Sequence, residues 1–183
     1  MKSIEAESFW DFSVRVYALP TVANNCLALQ DDNELDVNLI LLAYWHGLYF
    51  GPIETSLLQS LIEYSNSWST TTVTPLRRLR QRMKRNQYKL PASLKQAYLQ
   101  LRESIKMTEL AAERAQQYRL ESLCEPRLAI AHQPRQKEAA QFISLNLRHY
   151  LDSKPVTMDS EIKQRFMCLF QAIGLEDSAK GVF

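Results

Sequence analysis

Apolar residues recur along this chain at steps of three and four, and no stretch keeps the two-residue alternation of a half-buried strand. The pattern predicts an all-α protein, a compact bundle of about seven to eight helices around one buried central helix. Phe9, Phe12, Val16 and Tyr17 share a face of a first helix over residues 4–18, which Pro20 ends. Val22, Cys26, Leu27 and Leu29 give a second over 21–30, followed by a polar loop at 31–34. Residues 37–45 are apolar on nearly every side, as a central helix at about 36–46 requires, and the Asp36 carboxylate is placed to cap its unpaired N–H groups. Gly47 and the pair Gly51-Pro52 punctuate its exit.

Helical spacing restarts with Ile53, Leu57, Leu58, Leu61 and Ile62. Trp68, Thr72, Leu76, Leu79 and Met83 then form one stripe that runs through Pro75, as a kinked helix or as a fresh start there. A long helix is expected from Leu94 toward Leu123, and Pro126 and Pro134 bracket a loop. Phe142 to Leu151 mark another helix, ended before Pro155, and Ile162 to Ile173 a last one, closed by Gly174. Residues 1–175 read as a single helical domain, and 176–183 as a tail with too little to bury to avoid fraying.

A length of 183 residues is enough for a core without staples. Cys26, Cys124 and Cys168 are widely spaced, without a Cys-x-x-Cys pair, and read as reduced thiols. The acidic start, with Glu5 and Glu7, does not look like an export signal, and a cytoplasmic location is expected. The most apolar run, 37–50, is shorter than the roughly 20 residues of a membrane span, so no membrane association is expected.

The net charge of +2 conceals a strong asymmetry. Residues 1–63 carry nine acids and two bases, residues 64–102 carry nine bases and no acid, and the remainder balances. Arg77, Arg78, Arg80, Arg82, Lys84, Arg85 and Lys89 crowd thirteen positions, and on a helix they fan around a strip of Leu76, Leu79 and Met83. Such a face suits an anionic partner, whether nucleic acid such as RNA, a ribonucleoprotein or an acidic protein. It equally suits pairing with the acids at 31–36, or a purely structural role across a homo-oligomer.

Motifs for catalysis are missing. Asp31 to Asp36 fails as a calcium loop, because Leu35 stands where an oxygen ligand is needed and Asp36 where a glycine is. Asp32 and Asp36 have the spacing of a magnesium-diphosphate motif but lack a second such pair. Glu109 and Glu113 stand one turn apart without the Glu-x-x-His partners of a di-metal bundle. His46, His132 and His149 are scattered, and there is no nucleophile elbow or phosphate-cradling glycine loop. No catalytic residue, metal ligand or cofactor is therefore expected. A second constellation is polar amid aromatics: Gln30, Asp31, Asp36 and Asn38, with Trp10, Tyr17 and Trp45. These residues cap and lock the turn before the central helix, or line a pocket near Gln30, Asp31, Asn38 and Trp45 that would serve a small-ligand binder or an enzyme.

Taken in order, Trp10, Tyr17, Cys26-Leu27-Ala28-Leu29-Gln30-Asp31, Asp36-Val37-Asn38-Leu39, Trp45, Trp68, Pro75-Leu76-Arg77 with Arg80 and Lys84, and Glu109-Leu110 with Ala112-Glu113 resemble a proteobacterial family of unknown function. The likeness spans residues 10–118. It implies a helical cytosolic protein and carries over no activity, substrate or cofactor. Asn33-Glu34 departs from it, since similar sequences commonly have a glycine in this turn.

Overall fold

A computed structural model describes residues 6–128 and 135–182, the side chains of 126–128 excepted. Among the described residues the protein is a bundle of eight helices and one closing helical turn, without strands. They are α1 (Phe9–Tyr17), α2 (Pro20–Asn33), α3 (Val37–Tyr49), α4 (Thr55–Trp68), α5 (Thr74–Asn86), α6 (Ala92–Leu128), α7 (Gln136–Asp152), α8 (Ser160–Ala172) and the turn α9 (Glu176–Ala179).

The expected central helix is present. Every residue of α3 from Asn38 to Gly47 is buried, and Asp36 caps it, its Oδ1 accepting from Asn38 N at 2.8 Å. The helix runs on past Gly47 instead of ending there. A Cβ at Gly47 would lie 2.6 Å from Ile143 Cγ1 and 2.7 Å from Ile143 N, so the glycine serves the close approach of α7. The exit comes at Gly51, where φ is +96°. Asn146 of α7 holds that exit, accepting from Ile53 N at 2.7 Å and donating to Ala43 O at 3.3 Å. Tyr44 ties the same helix to α8, its hydroxyl donating to Phe166 O at 2.7 Å. One continuous apolar core includes Phe9, Leu42, Leu61, Leu120, Ile143 and Phe170.

Several boundaries differ from expectation for identifiable reasons. Ser8 starts α1 by accepting from Asp11 N at 3.1 Å, and Pro20, besides ending α1, opens α2, where its missing N–H costs nothing. The polar loop at 31–34 is largely helix. The helix α2 continues to Asn33 and closes on Glu34 in the left-handed conformation, φ 54°, with Leu35 N donating to Leu29 O at 3.2 Å. Glu34 thus supplies the turn that a glycine would make without strain.

The alternatives at Pro75 merge. A π-helical turn at Ser69–Val73 joins α4 to α5 without interrupting the helical path, and Pro75 sits in the first turn of α5. A wide turn just ahead of the proline accommodates the hydrogen bond that its ring cannot make. The helix α6, about 55 Å long at 1.5 Å per residue, runs through Pro126 to Leu128, so the loop expected from that proline does not begin there. Pro134 and His132 lie outside the described residues. Where a frayed tail was expected, α9 docks on the bundle with Ala179 fully buried.

Candidate functional site

A cleft of about 1290 Å³ opens between α1, the α2–α3 turn, α5 and the middle of α6. The helix α6 forms one wall. Glu109, Glu113, Gln116 and Gln117 follow at steps of four, three and one, which places them along one helical face. Arg77 crosses from α5, its Nε donating to Glu109 at 3.0 Å and its Nη2 to Glu113 at 2.6 Å. Arg80 also grips Glu109 through Nε and Nη2.

The two carboxylates respond in opposite directions. Burial raises the Glu109 carboxyl, but the guanidiniums of Arg80 and Arg77 together outweigh it and hold the group below the ordinary carboxylate range. At Glu113 burial wins over the pull of Arg77, and its carboxyl is raised. The difference follows from partners: Glu109, with 6% of its side chain exposed, has two guanidiniums, whereas Glu113, at 29%, has one.

Behind this pair lies a buried polar network. Asp36 Oδ2 accepts from Ser65 Oγ and from Gln116 Nε2, the latter at 3.1 Å. Gln116 Nε2 also donates to Ser65 Oγ at 2.7 Å. Asn38 donates to Gln116 Oε1 and accepts from Gln117 Nε2, each at 2.8 Å, and Asp36 N donates to the Tyr150 hydroxyl at 2.8 Å. Trp10 and Tyr17 of α1 face α6, with the Arg114 guanidinium 4.9 Å from the Trp10 ring centre. Burial pushes the Tyr17 hydroxyl up to about 12.

The family model described as "Protein of unknown function (DUF2390)" matches residues 8–120. The chain belongs to this DUF2390 family. No curated protein and no solved structure matches the chain.

The DUF2390 stretch contains every residue of the cleft and of the network behind it named so far except Tyr150, which joins the network from α7. The structure brings together what the sequence offered as two constellations. Trp10, Tyr17, Gln30, Asp31, Asp36 and Asn38 line the same cleft as Arg77, Arg78, Arg80 and Lys84. Trp45 does not belong to it. That indole is buried in the core, packed on Phe9 and Phe50, with Nε1 donating to Glu7 O at 2.9 Å. Arg82, Arg85 and Lys89 are exposed and lie away from the cleft.

The internal partners of the basic helix are likewise on α6, not among the acids at 31–36. Of those acids, Asp32 pairs with Arg165 of α8 at 2.9 Å. His46 is a core residue, its Nδ1 2.9 Å from Gly51 O, and burial lowers its pKa. Gln116, Gln117 and Ser65 were not singled out from the sequence. The polar stripe Glu109-Glu113-Gln116-Gln117 was the available signal for the two glutamines, whereas nothing local distinguishes Ser65 from other helix serines.

Beyond the cleft, α5 and the first half of α6 form a hairpin arm. Residues 91–97 are all exposed, and so are Leu79, Tyr88, Leu94, Leu99, Leu101 and Met107, large apolar side chains that a core would have taken. Arg78, Arg82, Lys84, Arg85 and Lys89 are exposed on the same arm and form no ion pair among the described residues. Among the described residues no helix is long and apolar enough to cross a membrane.

Proposed function

We propose that this protein is a non-enzymatic interaction module whose hairpin arm docks on an acidic protein surface. The observation that carries the reading is the division of labour along α5. Arg77 and Arg80 turn inward to Glu109 and Glu113, while five further cations stay free beside exposed leucines. A purely phosphate-binding face has no use for Leu94 and Leu101, which stand seven residues apart on one face of α6 and are each 55% exposed. Aliphatic side chains lack the flat π-surface on which unpaired bases stack, and Tyr88 is the one aromatic among the arm's exposed large apolar side chains named above. Cations set among leucines complement a partner that presents carboxylates around an apolar patch.

The test compares an amphipathic peptide of glutamate and leucine with single-stranded polyuridine RNA, titrated against the full chain over a salt series. The peptide is expected to bind more tightly. An Arg82→Glu/Lys84→Glu/Arg85→Glu variant should abolish that binding, and Leu94→Ser/Leu101→Ser should weaken it at least tenfold. RNA binding that exceeds peptide binding and ignores the leucine substitutions overturns the reading, as does absence of peptide binding at low salt.

A further inference from the structure

Charge fixes the direction of every amide in the network behind the cleft. The Asp36 carboxylate can only accept, so Gln116 must turn Nε2 toward it and Oε1 away. That Oε1 receives Asn38 Nδ2, which leaves Asn38 Oδ1 facing Gln117. Gln117 answers with Nε2 at 2.8 Å. The chain of bonds therefore ends on Gln117 Oε1, an acceptor that has no donor among the described residues, on a cleft-lining side chain that is 4% exposed. Turning the amide over would set oxygen against oxygen at Asn38, so the orphan is an acceptor and not a donor. A buried polar group left unpaired costs about 1–3 kcal/mol.

Glu113 stands one turn before Gln117 on the same helical face, and only its Oε1 is taken, by Arg77. Both unpaired groups on this wall are acceptors. The buried and half-buried charges lining the cleft, Asp36, Glu109 and Glu113 against Arg77, Arg80 and Lys154, balance, so no excess positive charge there favours an anion. The facing wall is aromatic, and a ring face attracts a cation, as the seat of Arg114 over part of Trp10 illustrates. An anion would meet two acceptors, one of them a carboxylate.

We propose that the inner cleft binds a small organic ammonium ion, its N–H groups donated to Gln117 Oε1 and the Glu113 carboxylate and its carbon body laid against Trp10 and Tyr17. The proposal does not depend on the arm, whose free cations lie on or outside the rim.

The experiment is calorimetric titration of the full chain with phenethylamine, with phenethyl alcohol and phenylacetate as neutral and anionic matches. The amine is expected to bind at least tenfold more tightly than either. Glu113→Gln retains the side-chain size and an acceptor for Arg77 but removes the charge, and should lower amine affinity at least tenfold while the variant stays folded. Gln117→Met, which removes the orphan acceptor, should do the same, and if it does not fold the Glu113→Gln result decides alone. Absence of amine binding, preference for phenylacetate, or undiminished binding by a folded Glu113→Gln variant overturns the proposal.

Discussion

Arg77 of α5 donates through Nε to Glu109 of α6 at 3.0 Å, bolting the root of the hairpin arm to the body of the bundle. Removing one partner of a buried ion pair leaves a charge without compensation, typically costing about 3–5 kcal/mol. Arg80 remains on Glu109, so Arg77→Ala should cost about 3 kcal/mol in urea unfolding, the low end of that range. Arg82→Ala, on the exposed face of the same helix, should change stability by less than about 0.5 kcal/mol.

The two carboxylates on α6 should contribute to acid stability with opposite signs. Glu109 is held below its ordinary 4.5, so its contribution is present above 4.5 and is lost as pH falls through the lower folded value. Glu113 is raised above 4.5, so its contribution is present below 4.5 and is lost as pH rises through the folded value. Melting temperatures measured from pH 3 to pH 8 should show Glu109→Gln losing part of the rise in stability that accompanies increasing pH. Glu113→Gln should steepen that rise just above 4.5. Parallel profiles for the two variants would contradict the assignment.

Glu34 occupies a left-handed conformation at φ 54°. A non-glycine residue pays roughly 1–2 kcal/mol there, while glycine pays little on this account but gains freedom in the unfolded chain. Glu34→Gly should therefore stabilise the protein by about 1 kcal/mol in denaturant unfolding. Glu34→Val, β-branched at the same φ, should destabilise it.

Gly47→Ala tests the contact between α3 and α7. The new methyl would strike backbone atoms of Ile143 as well as its side chain, so trimming Ile143 to alanine cannot make room. Overpacking costs about 1–3 kcal/mol, offset by about 1 kcal/mol of improved helix propensity. A net loss of about 2 kcal/mol is expected, at the upper end because the obstruction is backbone. A rescue by Ile143→Ala would show that only the side chain blocks the site.

Periodicity located the helices because burial of one face dominates their stability, and α3 stood out because it has no solvent face at all. Boundaries that depend on a single capping atom were harder to read. Ser8 begins α1 through one hydroxyl, and the left-handed turn at Glu34 uses a residue whose type does not advertise it. The site was half legible. Charge counting found the cationic helix, but not that Arg77 and Arg80 turn inward, because their partners lie 29 to 36 positions away. Trp45 is the same residue type as Trp10, yet α3, buried on every side from Asn38 to Gly47, carries it into the core. Gln117 acquires its meaning only from Asn38, 79 positions earlier.

The packing of α3 against α7 separates two notions of a unit. The stretch shared with the DUF2390 family, residues 8–120, contains α3 but not the helix that covers it with Ile143, Leu147 and Tyr150. Expressed alone, that stretch would present the most apolar helix of the protein to water and leave Asp36 N without the Tyr150 hydroxyl. What recurs as a segment of sequence is thus not what closes as a folding body. A protein sharing only that segment needs some other helix, its own or a neighbour's, to fill the groove that α7 occupies here.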